Sequence, residues 1–141
     1  MIVYADTSVI VSLYTREQHS AAAVALMTSN PRVWFSPLHS AEFAHAIAQQ
    51  VFRGRISVGS ADAVYQDLKR DLTAGLWLET PLPDQAFSLC AELARRYGPQ
   101  LGTRTLDSLH VASALELKAE RFWTFDERQA KLAKAQGLKT A

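Results

Sequence analysis

The sequence predicts an α/β fold of three layers, with a short parallel sheet covered by helices on both faces. Three observations lead there. Short strand-like runs alternate with helical segments along the whole chain. Those runs are continuously apolar, as strands buried on both faces must be, and no repeat or linker interrupts the alternation. With 141 residues the chain is long enough to bury one shared core, so a single domain over residues 1–141 is expected.

The apolar run Ile2 to Ala5 reads as the first strand, and Asp6-Thr7-Ser8 leads into a helix carrying Val9, Ile10, Val11, Leu13 and Tyr14. A second, Ala-rich helix is expected from Glu17 to Thr28, closed by Asn30-Pro31 before a strand at Val33-Trp34-Phe35. Ser36-Pro37 then has the form of an N-cap followed by proline at the first helical position, where the missing N–H costs nothing, and the helix should reach Arg53. From Ser57 to Thr73, Ala61, Val64, Tyr65, Leu68 and Leu72 share a helical face that Gly75 ends. Leu76-Trp77-Leu78 is the next strand, Pro83 to Tyr97 a helix, and Gly98 to Gly102 a loop. A helix from Thr105 to Lys118, a strand from Arg121 to Phe125, a helix from Asp126 to Gln136 and a last strand at Leu138-Lys139-Thr140 complete the chain.

Hydrophobic residues make up 48% and charged residues 21%, the composition of a soluble globular protein and not of a disordered chain. No apolar stretch is long enough to span a bilayer, and the opening residues lack a basic leader. The single cysteine, Cys90, excludes an internal disulfide and fits a cytoplasmic location; it sits with Phe87, Leu93, Ala94 and Tyr97 at helical spacing and reads as a buried thiol. A net charge of +1 supplies no broad positive field for nucleic acid. Arg128, Lys131, Lys134 and Lys139 crowd the C-terminal segment, where they read as a solvated helix face.

In open parallel sheets, functional groups stand just beyond the carboxyl ends of the strands. Asp6 and Asp126 occupy such junctions, and right-handed crossovers can bring both to one edge. Glu42 and Asp107 lie in early turns of two helices that can lean over the same edge. Each acid also has a structural use: Asp6 and Asp126 as helix caps, with Gln129 reaching back to its cap, and Glu42 and Asp107 as exposed carboxylates at the positive end of a helix dipole.

The opening Ile-Val-Tyr-Ala-Asp6-Thr7-Ser8, Ala41-Glu42 in the Ser-Pro-started helix, the block Arg104-Thr-Leu-Asp107-Ser-Leu-His110-Val-Ala112 and Trp123-Thr-Phe-Asp126 resemble the four signature blocks of PIN-domain proteins. Their wording and spacing are similar to the VapC-type toxins of toxin–antitoxin pairs, over nearly the whole chain. The resemblance implies an endoribonuclease in which Asp6, Glu42, Asp107 and Asp126 hold Mg²⁺ or Mn²⁺. It also implies supporting hydroxyls at Thr7, Ser8 and Thr124, an RNA substrate such as transfer or ribosomal RNA, a small antitoxin partner and a homodimer. The chemistry is coherent. Four clustered carboxylates repel one another unless cations compensate them, and Mg²⁺ prefers oxygen ligands. His110 is expected to pack beside Asp107.

Two other enzymes fit less well. A dehalogenase-like phosphatase needs an acid two residues after the first, where this chain has Ser8. His39, Glu42 and His45 share a helical arc without the His-Glu-x-x-His spacing of a zinc enzyme. From another class, a non-catalytic PIN-fold binding module would use the acidic edge to engage a protein or RNA partner.

Overall fold

Five parallel strands form one sheet in the order β3-β2-β1-β4-β5 in the computed structural model, which describes residues Met1–Ala141. The strands are β1 (Ile2–Ala5), β2 (Arg32–Phe35), β3 (Leu78–Glu79), β4 (Arg121–Trp123) and β5 (Lys139–Thr140). Between them run α1 (Thr7–Tyr14), α2 (Ser20–Met27), α3 (Pro37–Phe52), α4 (Val58–Thr73), α5 (Gln85–Leu101), α6 (Thr105–Glu116) and α7 (Glu127–Ala135). The chain winds outward from β1 through β2 to β3, then returns to the other side of β1 for β4 and β5. That reversal puts a topological switch point between the carboxyl ends of β1 and β4.

Side chains leave successive strand positions to opposite faces, and two cores follow from this. Val3, Ala5, Val33, Phe35 and Trp123 pack with Val9, Ile10, Phe43 and Ile47 under α1 to α4. Tyr4 and Phe122, one position out of phase, pack with Cys90, Leu93, Leu109, Val111 and Leu132 under α5 to α7. Three layers result. Cys90 is buried, and its Sγ–H lies 3.5 Å from the Thr105 carbonyl, but Phe87 from the same expected group is exposed.

The structure corrects several boundaries. Residues 15–19 form a turn instead of helix: the Glu17 carboxylate takes the Ser12 hydroxyl and the His19 N–H, while the Ser20 hydroxyl takes the Glu17 N–H. Trp77 leaves the strand ladder, donating its indole N–H to Tyr14 Oη at 2.9 Å and filling the core, so β3 begins at Leu78. The expected loop at Gly98–Gly102 is the last turn of α5. Pro99 forfeits one helical N–H there, yet Gly102 N–H reaches the Gly98 carbonyl at 2.8 Å, and Gly102, at φ 65°, takes the left-handed conformation that closes the helix. β4 stops at Trp123 because the Thr124 hydroxyl turns to Asp6 and Asp126.

Candidate active site

Asp6 follows β1 directly and is the N-cap of α1, accepting the Val9 N–H at 3.1 Å. Ser8 Oγ donates to the same oxygen, Oδ1, at 2.6 Å, and Thr124 Oγ1 donates to Oδ2 at 2.6 Å. Asp6 is 2% exposed, and its carboxylate is held on both oxygens. Asp126, two residues beyond Thr124, caps α7 through Oδ1, which accepts the Gln129 N–H at 2.8 Å.

The other two acids come from helices aimed at this edge. α3 starts as the Ser36-Pro37 pair predicts, but with His39 in the role usually taken by Glu or Gln: its Nδ1 accepts the Ser36 N–H at 3.0 Å. Its Nε2–H donates to the Ala5 carbonyl at 2.9 Å, fastening the start of α3 to the end of β1. Glu42 then faces the site, its Oε1 accepting from Thr7 Oγ1 at 2.7 Å and paired with His110 Nε2. Asp107, in the first turn of α6, accepts the Arg104 N–H on Oδ2 at 2.9 Å and the Gln129 Nε2–H on Oδ1 at 3.0 Å.

All four acids line one open cavity of about 470 Å³ together with Thr7, Ser8, Arg104, Thr105, Leu106, His110 and Gln129. Only Leu106 is apolar. A second cavity of about 310 Å³ shares Thr7, Ser8 and Glu42 with the first and extends past Gln50 to Arg55. The Arg104 side chain is 79% exposed at the rim, with Nε 3.5 Å from Asp107 Oδ2.

Burial by itself pushes the Glu42 carboxyl up, but the His110 imidazole and the Thr7 hydroxyl outweigh it and hold the group below the ordinary carboxylate range. His39, buried and facing His110, is pushed down to about 4. This suits a neutral ring with one donor and one acceptor nitrogen. Burial raises the Tyr4 phenol, whose Oη lies 2.8 Å from His110 Nδ1.

Every donor offered by the four acids is oxygen, the kind a hard cation prefers. Glu42 Oε2 and Asp126 Oδ2 carry no hydrogen bond within the protein. No three acidic or imidazole side chains stand close enough to enclose an ion as they are placed, so this is a ring of carboxylates and not a finished cage. Such a ring fits Mg²⁺, which keeps several of its waters and is commonly bound directly through one or two carboxylates.

Several sequence expectations are revised. Asp107 is buried, not an exposed helix carboxylate. The Gln129 side chain crosses to Asp107 instead of reaching back to its own cap. His110 packs with the site as expected, but its partners are Glu42 and Tyr4. His45 bonds the Ala41 carbonyl on its own helix and does not join His39. Arg104 and Gln129 were within reach of sequence reasoning, since each lies three residues from an acid that caps or begins a helix, but such spacing is common in any helix start. Tyr4 carried no signal beyond an ordinary core position.

A parallel α/β sheet with an acidic cleft at its switch point defines a class of protein whose chemistry sits at the carboxyl ends of the strands. The chain belongs to the PIN domain family, whose sequence model matches residues 3–135. No curated protein sequence matches it. Among solved structures it is similar to FitAcB from Neisseria gonorrhoeae, with a TM-score of 0.69 and 20% identity over 99% of this chain and 96% of that one. It is similar to VapBC2 from Rickettsia felis bound to a DNA fragment from their promoter, with a TM-score of 0.68 and 17% identity over 100% and 98%. It is also similar to VapC20 from Mycobacterium tuberculosis, described as a sarcin-ricin loop cleaving toxin, with a TM-score of 0.70 and 15% identity over 92% and 93%. At these identities the likeness is one of fold. No helix is long and apolar enough to cross a membrane.

Proposed function

We propose that this PIN protein is a Mg²⁺-dependent endoribonuclease and the toxin of a toxin–antitoxin pair, with Asp6, Glu42, Asp107 and Asp126 as the residues that hold the cation. One observation carries the reading: four carboxylates from four separate elements line a single cavity at the switch point of the sheet. The similar folds of FitAcB, VapBC2 and VapC20 support the toxin assignment.

A cation held here would neutralise charge on a phosphodiester and lower the pKa of a water for in-line attack. The protein's part is positional. Ser8, Thr124 and the Val9 N–H fix Asp6, and Thr7 with His110 fix Glu42, which leaves Glu42 Oε2 and Asp126 Oδ2 for ligation. Arg104 at the rim offers a guanidinium to a substrate phosphate. The partner in this reading is an antitoxin that covers the cleft and sets a basic side chain among the carboxylates, and the protein acts in the cytoplasm as a homodimer of one PIN unit per chain.

Purified protein incubated with total RNA, with Mg²⁺ and with chelator, tests the activity. Cleavage that requires the cation and yields 5′-phosphate and 3′-hydroxyl ends is expected. Cation binding without cleavage of any RNA would favour a binding module in its place.

A further inference from the structure

Gln129 touches two of the four acids at once. Its Nε2–H donates to Asp107 Oδ1 at 3.0 Å, and its backbone N–H donates to Asp126 Oδ1 at 2.8 Å. Asp107 belongs to α6 and Asp126 to the start of α7, so this one residue joins the two helices where both meet the cavity. The residue is 6% exposed, and its side-chain Oε1 is buried with no hydrogen-bond partner. Buried acceptors are seldom left unpaired, so an orphan oxygen in a site wall calls for a reason. The amide cannot be turned to relieve it, because that would set Oε1 against the Asp107 carboxylate.

We propose that Gln129 is the positioning residue for the cation site: it holds Asp107 and Asp126 in mutual register and keeps Asp126 Oδ2 free, its amide orientation fixed by Asp107 at the expense of an unpaired Oε1. The proposal rests on the cation-dependent reading given above. A partner that only packs the helices together needs neither the amide orientation nor the second contact.

Mn²⁺ binding by calorimetry and thermal stability with and without Mn²⁺, on the full chain, test this apart from activity. Gln129→Leu keeps the bulk and removes both amide functions; Mn²⁺ affinity should fall about 10- to 100-fold, as for outer-shell partners of metal ligands. Gln136→Leu, at the far end of α7, removes another buried and unpartnered amide nitrogen and should leave the affinity unchanged. Gln129→Glu keeps the length and adds a charge beside Asp107; its stability should fall without cation and rise more on adding Mn²⁺ than that of the unsubstituted protein. Gln129→Leu binding Mn²⁺ within twofold of the unsubstituted protein, or an equal Mn²⁺ stabilisation of Gln129→Glu, overturns the proposal while leaving the cation site standing. Failure of the unsubstituted protein to bind Mn²⁺ overturns the cation reading itself.

Discussion

Thr124 and Asp6 are 118 positions apart in the chain and 2.6 Å apart in space, the hydroxyl of one donating to Oδ2 of the other. The same hydroxyl oxygen accepts the Asp126 N–H at 2.9 Å. The Asp6 N–H to Trp123 carbonyl bond at 2.9 Å closes the ladder between β1 and β4, and the one threonine beyond it links an acid from each strand end. Thr124→Val keeps the shape and deletes both bonds. Asp6 retains Ser8 and Val9, so the cost should be about 2 kcal/mol, within the range for a buried group left without its partner. Urea unfolding measures it, and Thr124→Ser should restore most of the loss. If Val and Thr prove equally stable, the hydroxyl does not tie the two strand ends together.

The hydrogen-bond map indicates which charge-removing changes leave the fold alone. Asp126 caps α7 through Oδ1 only, and Asn caps a helix as well as Asp, so Asp126→Asn should unfold within about 1 kcal/mol of the parent. Asp107→Asn also has a solution. The new amide can donate to Gln129 Oε1 after the Gln129 amide rotates, while the remaining oxygen keeps the Arg104 N–H. Both variants should lose more than about 100-fold in cation-stimulated RNA cleavage, a larger effect than losing an outer-shell partner. A folded Asp126→Asn protein that cleaves at the parent rate would remove this acid from the site.

Acid should weaken the fold through His39. Burial, helped by the neighbouring His110, pushes His39 in the folded chain down to about 4, against 6.5 for a free imidazole. Between those values the unfolded chain holds the extra proton, so the stabilisation is complete above about pH 6.5 and lost as pH falls toward 4. The full change is about 3 kcal/mol. Glu42, whose folded value is depressed by His110 and Thr7 despite its burial, adds a loss of the same sign below its ordinary 4.5. Unfolding midpoints from pH 7.5 to 4 should show this slope. In His39→Gln it should flatten between 6.5 and 4.5, since Gln does not titrate.

The three layers and the strand-end positions of Asp6 and Asp126 were legible because they depend on local pattern, whereas Glu42 and Asp107 stood out through the resemblance of their sequence blocks. Apolar runs of strand length and polar breaks recur along the chain, and acids at strand ends stand where a parallel sheet puts its chemistry. What was not legible depends on partners brought together by folding. His110 reads as a core position on a buried helix until α3 sets Glu42 against its Nε2. Gln129 satisfies a capping rule with its own helix, and only the approach of α6 offers it Asp107 instead. Pro99 and Gly98 together resemble a loop, yet the packing of α5 on α6 carries the helix through them to Gly102. Local preference was overruled in each case by a tertiary contact worth more than the preference.

Tyr4 offers a test of whether the contacts behind Glu42 matter to turnover. Its ring stacks on Phe122 with centroids 5.8 Å apart, and its Oη lies 2.8 Å from His110 Nδ1, whose other nitrogen meets Glu42. Burial raises the phenol pKa, so the group stays protonated at any working pH. Tyr4→Phe preserves the stack and removes the hydroxyl, leaving Nδ1 buried without a partner at a cost of about 1–2 kcal/mol. Without that anchor the imidazole no longer holds Glu42 in one place, whereas the cavity rim, Arg104 included, is untouched. The expected kinetic result is a severalfold to tenfold drop in kcat with KM for RNA unchanged, on the order of 1 kcal/mol in the barrier. A loss confined to stability, with kcat preserved at temperatures where the variant is fully folded, would reduce the Tyr4–His110 pair to packing and leave Thr7 as the group that orients Glu42.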